Sequence, residues 1–389
     1  MMNFTLEEFK KRISDTKKSM AKKSIDILIC TDPSNMNYLT GYDGWSFYVP
    51  QVVIVSLDSE EPIWIGRKQD ANGAKITTFL KEENILGYPE KLIQKPPEHP
   101  IDFVINFLKN RNWANKNIGV EMDSYYYTAE THERLTSQCP NAKFLNAHLL
   151  VNWIRLVKSD AEIEYMKNAS TLVQLGMQKA YDSIKPDIRQ NEVAGHIQKS
   201  LISGNDRMGG EYSGLTIILA SGSAASAAHL TPSDKKFSKN EGTIIELGGV
   251  KNRYHCPMAR TVYIGKPNEK IEDTMKITNE SIENAIKHTK PGNTAHDVAV
   301  AFWDILNKYG LEKESRAGYS IGIGYPPDWG EHTLSIRKHD MTELKPNVTF
   351  HLMAGMWMDT WGIEISESIR VTKSGCELFC NFSRARQLI

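Results

Sequence analysis

Apolar residues Leu6, Phe9, Ile13 and Met20 recur at helical spacing behind Thr5-Leu6-Glu7-Glu8, a capping-box pattern, and predict an opening helix. Short apolar runs at Ile25–Cys30, Gln51–Ser56 and Pro62–Gly66 predict buried strands, the last two paired across a Ser-Glu-Glu turn. Helical patterns over about Asp70–Lys81, Ile101–Asn110 and Tyr127–Gln138 follow, with strand runs at Asn117–Glu121 and Lys143–Asn146 between them. Strand and helix in alternation predict an α/β domain.

The pattern changes near Trp153–Ser159, which places a boundary between an N-terminal domain of residues 1–156 and a C-terminal domain of residues 157–389. Ser159-Asp160-Ala161-Glu162 is a second capping box. It opens a long helix with Ile163, Met166, Ala169, Val173, Met177, Ala180 and Ile184 on one side, stopped by Pro186. Helical segments at Glu192–Ile202, Glu269–His288 and Thr294–Tyr309 follow. Strand patterns near Leu215–Ala220, Thr243–Val250, His255–Gly265, Thr349–Met358 and Ile363–Thr372 predict a curved antiparallel sheet with helices on one face, an α+β architecture.

Composition narrows the partners. The chain has 389 residues, 47 basic and 47 acidic, so its formal net charge is zero and no basic face for nucleic acid is expected. No apolar run reaches the ~20 residues that span a bilayer. MMNFTLEEFKKR lacks a signal-type apolar core, and the five cysteines are odd in number and scattered. Both features point to reduced thiols and a cytoplasmic location. Cys376 and Cys380 have no partner ligands nearby and read as packed thiols.

The chemistry gathers around IIELGGVKNRYHCPMART, residues 244–261, which reads as a β-hairpin turning at Lys251-Asn252-Arg253. Its first strand carries a single acid, Glu246. A carboxylate within an apolar strand is costly to bury unless something cationic sits beside it. His229 lies among small residues in ASGSAASAAHL, where another molecule has room to approach its imidazole, and its ordinary pKa suits proton transfer at neutral pH. Glu364 and Glu367 in GIEISES are three apart, so in a regular strand they face opposite ways and only one can serve a site. His255 heads the second hairpin strand and is a further candidate for contacting substrate. TGYDGWSFYVPQ, residues 40–51, reads as a loop presenting Tyr42, Trp45 and Tyr48, aromatic faces suited to a delocalised cation. GYPPDWGEH, residues 324–332, reads as a rigid aromatic loop, and Trp357 and Trp361 are further aromatic candidates.

The hairpin resembles that of the creatinase and proline-dipeptidase family, the pita-bread enzymes. The resemblance implies a pita-bread catalytic domain behind a smaller α/β creatinase-like domain. Most members hold two metal ions on five side chains. By the same alignment those positions fall here on Glu246, Pro257, Tyr319, Met353 and Ser366 or its neighbour. One Glu in five positions is no metal site, so a metal-free member without cofactor is expected. TDPSNMNYLTGYDGWSFYVPQ, GRKQDANGAK, NRYHCPMARTV and GYPPDWGE are more specific and resemble the ectoine hydrolases, a branch that opens a cyclic amidine. That resemblance implies a small zwitterionic substrate, no nucleic-acid or membrane partner, and a homodimer with active sites near the subunit interface. It implies Glu246, Glu364 and His229 as catalytic residues and Tyr42, Trp45, Tyr48, His255, Tyr319, Trp361 and Glu367 as substrate contacts. An Xaa-Pro peptidase, a creatinase-like C–N hydrolase and a non-catalytic peptide-binding module are the rival expectations.

Overall fold

The structure is a computed structural model that describes residues 3–385 and the backbone of residues 387 and 388. It divides into two compact units, Met1–Ile154 and Arg155–Ile389.

The N-terminal unit is built on strands β1 Ile27–Cys30, β2 Val52–Ser56, β3 Ile63–Arg67, β4 Ile85–Tyr88, β5 Asn117–Val120 and β6 Lys143–Asn146. They form one mixed sheet in the order β4-β3-β2-β1-β5-β6. Helices α1 Leu6–Lys22, α2 Pro33–Thr40, α3 Ala71–Thr77, α4 Pro100–Asn110 and α5 Ala129–Gln138 accompany it, and α6 Leu150–Arg155 ends the unit. The α/β alternation expected from the sequence is present. One expected helix is shorter than its pattern: α3 ends at Thr77, whereas helical spacing suggested Lys81. Two helices, α2 and α6, were not anticipated. In α2, Asp32 caps the first turn, Pro33 stands at the first helical position and Gly41 ends the helix at φ 86°.

The C-terminal unit carries strands β7 Ile218–Ser221, β8 Glu241–Lys251, β9 Tyr254–Ile264, β10 Gly318–Tyr325, β11 Asp328–Ser335, β12 Thr349–Trp357, β13 Gly362–Val371 and β14 Cys376–Leu378. They run β14-β13-β12-β10-β9-β8-β7, with β11 attached to β10. The hairpin read from sequence is β8–β9, paired over eleven residues from Glu241↔Ile264 to Lys251↔Tyr254. Asn252 and Arg253 take positive φ at its turn.

Helices α7 Asp160–Ser183, α8 Gln190–Ser203, α9 Glu269–His288 and α10 Ala295–Lys308 pack on one face of this sheet. The alternation of side chains along the strands decides which residues meet them. Ile245 and Leu247 of β8, with Cys256, Met258 and Val262 of β9, pack against Val173 and Ile197. Ile365, Ile369 and Val371 of β13 pack against Phe302 and Leu306. Gly249 is obligatory here, because a Cβ would lie 2.1 Å from the Ala169 carbonyl oxygen of α7. Residues of the other parity, Glu246, Gly248, Pro257, Thr261, Glu364 and Ser366 among them, therefore point away from the helices.

The sheet curves until β13 meets β9 across that second face. Ala259 N donates to Ser366 Oγ at 2.6 Å, Glu364 N to Thr261 Oγ1 at 2.8 Å, and Ser368 Oγ to the Pro257 carbonyl at 2.7 Å. Side-chain bonds thus link two strands that are not neighbours in the sheet.

Candidate active site

Register places the carboxylates. Glu246 of β8 lies opposite Ala259 of β9, and Ala259 is tied to Ser366. Glu364 lies two residues before Ser366 and opposite Gly355 of β12. Glu246 and Glu364 therefore share the helix-free face with Ser366 and His351. Glu367 has the opposite parity. It lies on the helix side, where it accepts from Arg260 Nη2 at 2.9 Å, so its expected contact with substrate is replaced by a buried ion pair. Arg260 in turn donates to the carbonyls of Ser366, Phe382 and Ser383.

The two site acids are buried, 4% and 1% exposed. Glu364 has no hydrogen-bond partner on either carboxylate oxygen among the described residues. The nearest ion-pair contact of Glu246 is His351 Nδ1, at 4.0 Å. Burial raises the Glu246 carboxyl well above the usual range, and the charges of Glu364 and then Asp328 raise it further. Burial pushes Glu364 up to about 7, against the pull of the Lys313 ammonium.

His351 was not singled out in the sequence, although it stands two residues before Met353 in FHLMAG and so shares its face. Its Nε2 lies 2.6 Å from Ser366 Oγ and its Nδ1 3.2 Å from the Tyr319 hydroxyl. Ser366 already accepts the Ala259 amide, so its hydroxyl proton is available to His351. Tyr319 accepts from Trp329 Nε1 at 2.8 Å. Burial, and then the charge of Arg260, drive the His351 pKa down to about 3, so the imidazole is neutral. Trp329, Tyr319, His351 and Ser366 form one continuous polar chain beside Glu246.

The remaining candidates fall in different places. His255 is buried with both ring nitrogens in use: Nε2 accepts from Gly214 N at 2.8 Å and Nδ1 faces the Arg253 carbonyl at 2.9 Å. It anchors the loop that crosses Gly248, where a Cβ would meet Ser213 Oγ at 2.7 Å. His229 is exposed, just past a 3₁₀ turn at Gly222–Ser226. That turn lies against β13, because a Cβ on Gly362 would sit 1.9 Å from the Ala225 carbonyl oxygen. Trp361 is half-buried in the β12–β13 turn and lines a cavity of about 320 Å³ with Thr261, Tyr263 and Asn240. GYPPDWGEH is not a loop: it is the β10–β11 hairpin, with Trp329 inside the second strand.

In the N-terminal unit, Tyr42 is not presented by its loop. It is 3% exposed, its ring tilted against Trp64 with centroids 5.0 Å apart and its hydroxyl 2.6 Å from Ser46 Oγ. Trp45 and Tyr48 are 57% and 64% exposed.

The five positions at which metal-binding relatives carry ligands hold Glu246, Pro257, Tyr319, Met353 and Ser366. A proline and a thioether do not suit a hard divalent cation. Among the described residues no cluster of three or more His, Cys, Asp or Glu side chains has metal-site geometry. These residues do not fit the metal pair.

Comparison with known proteins agrees with the architecture. The family model described as metallopeptidase family M24 matches residues 164–373, and that of the creatinase/prolidase N-terminal domain matches residues 12–157. Ectoine hydrolase from Halomonas elongata is 43% identical over 388 residues, covering 98% of this chain and 97% of that protein. An uncharacterized hydrolase/peptidase from Sinorhizobium fredii is 40% identical, covering 97% and 96%. Recombinant prolidase from Thermococcus sibiricus superimposes with a TM-score of 0.84 at 18% identity, covering 98% and 99%. With a matching model over more than half its length and a relative this similar end to end, the chain belongs to the metallopeptidase M24 family, behind a creatinase/prolidase N-terminal domain.

Proposed function

We propose that this M24 hydrolase adds water to the cyclic amidine of ectoine and opens it to N-acetyl-2,4-diaminobutyrate, without a metal. The observation that carries the reading is the pair Glu246 and Glu364: two buried carboxylates on one sheet face, neither with an ion-pair partner within hydrogen-bond reach among the described residues. Such a face suits a cation, and a protonated amidine is a planar one. The 43% identity to an ectoine hydrolase supports this amidine over other cations.

Glu246 ionises against the bound amidinium. One of the two carboxylates takes a proton from water as its oxygen bonds to the ring carbon between the nitrogens. The other, protonated, hands its proton to a ring nitrogen as that C–N bond breaks. The products are an amide and an amine, with one water consumed. The same carbon is open to direct attack by Glu246: one ring C–N bond breaks, the freed nitrogen takes a proton, and water then adds to the imidoyl-enzyme carbon, releasing the amide and the free carboxylate. Tyr319, neutral His351 and Ser366 line the reacting face and hold it to one geometry. His229, exposed on its loop, is not assigned the proton step. We read the protein as a cytoplasmic homodimer; the exposed Trp45 and Tyr48 offer surface for a second copy, and sedimentation reports the state.

Incubation with ectoine in excess EDTA, followed by mass spectrometry, tests the reading. It predicts a product heavier by one water at an undiminished rate. Loss of turnover with EDTA and its return with manganese would restore the metal-dependent peptidase reading.

A further inference from the structure

A second site lies in the C-terminal unit, beside the carboxylates but not among them. β12 pairs with β10 only at Phe350, His351 and Leu352. Beyond that point the segment before β10 takes over the strand edge: Met353 N donates to the Ala317 carbonyl at 2.8 Å, and Lys313 Nζ to the Gly355 carbonyl at 2.9 Å. Next to this edge is a cavity of about 560 Å³ whose lining holds Lys313, Arg316, Arg337 and Lys338 against one acid, the exposed Glu314, with Trp303 and Ser315 between them.

Four cations thus face one cavity, and none of them forms an ion pair among the described residues. Lys313 bonds a carbonyl and the Ser315 hydroxyl. Arg337 Nε bonds the Ser335 hydroxyl. The half-buried Arg316 guanidinium lies 4.6 Å over the Tyr319 ring, and Arg337 repels it. A partly desolvated, unpaired guanidinium beside a second cation is unfavourable until an anion joins them. A guanidinium fork matches a carboxylate in two parallel hydrogen bonds.

We propose that this cavity is a carboxylate-binding site, with Arg316 and Arg337 as its fork and Lys313 at its inner end. It adjoins the reacting face twice. Arg316 stacks on Tyr319, whose hydroxyl meets His351. Lys313 bonds the residue opposite Glu364 in register and acts on that carboxylate through its charge. The carboxylate belongs either to the substrate itself or to a separate small acid. The site stands without the ring-opening reading, and only the choice between these sources rests on it.

The probe is succinate, titrated calorimetrically into the intact protein in low-salt buffer. Binding in the millimolar range or tighter is expected, weakened at least tenfold in Arg316→Gln and in the surface variant Arg337→Gln, and unchanged in Lys10→Gln, a control in the other unit. If the substrate supplies the carboxylate, ectoine displaces succinate and Arg316→Gln raises KM with little change in kcat. If a separate acid supplies it, both ligands bind together and succinate moves the pH profile of turnover. No binding of succinate, or binding indifferent to both arginine variants, overturns the site. Succinate binding without any ectoine turnover leaves the site standing and removes the ring-opening reading alone.

Discussion

Glu246 and Glu367 show how one residue of strand parity separates chemistry from architecture. Both are buried acids. Glu367 is neutralised by Arg260, whereas the one ion-pair contact of Glu246 among the described residues is a neutral imidazole at 4.0 Å. Glu246→Gln keeps the shape and removes the charge, so ectoine turnover is expected to fall by about 10²–10⁴-fold with thermal stability retained. A kcat measurement beside a melting curve separates the two effects, and unimpaired turnover would take Glu246 out of the mechanism. Glu364 titrates at about 7 in the fold, so its charge changes in the working range. The turnover of the wild type should carry an inflection near that pH, and Glu364→Gln should lack it. The sequence disclosed Glu246 because a lone acid in an apolar strand is conspicuous. It left Glu364 and Glu367 open, because the offset of three says that they differ without saying which faces the helices. His351 stayed hidden because a histidine in an apolar strand carries no signal until its neighbours across the sheet are known.

Among elements, the β9–β13 crossing brings the acids together, and it is held from both faces. On the helix side, the Arg260–Glu367 pair is backed by the Ser366 carbonyl. Arg260→Ala removes the hydrogen-bonded partner of the buried Glu367 and leaves it only the looser contact with Arg384 Nε at 3.7 Å among the described residues, so it should cost about 3 kcal/mol of stability, read by urea unfolding. A loss below 1 kcal/mol would show that the Thr261, Ser366 and Ser368 bonds hold the crossing without the ion pair. On the site side, Gly362 admits the 3₁₀ turn at Gly222–Ser226. Gly362→Ala should push that turn away and lower activity more than stability, which paired assays of kcat and melting temperature would register. The β8–β9 hairpin was readable from its apolar run and polar turn. The β10–β11 hairpin was not, since adjacent prolines read as a loop whereas here they occupy the turn between paired Tyr325 and Asp328. α2 was missed although Asp32, Pro33 and Gly41 mark its ends, because all its residues are buried and no amphipathic period is left to find.

For the whole molecule, the buried acids and histidines set opposing pH dependences. His255 and His351 are both driven to about 3, below the ordinary value of 6.5, so the stability they contribute is present above pH 6.5 and is lost as pH falls toward 3. Glu364, raised from 4.5 to about 7, contributes stability that is full below pH 4.5 and lost as pH rises through 7. Glu364→Gln should therefore gain stability over wild type at pH 8 and little at pH 4, as denaturant midpoints at the two pH values would show. The same charge vacancy that weakens the fold at neutral pH is what a cationic ring fills. Acetamidinium, an amidine without the ring, isolates this binding step from turnover. Titrating it at pH 7 in buffers of different ionisation enthalpy counts the protons exchanged on binding. Net release of protons, abolished in Glu246→Gln, is the predicted result. Binding with no proton exchange, or an exchange indifferent to Glu246→Gln, would contradict the claim that this carboxylate meets the organic cation.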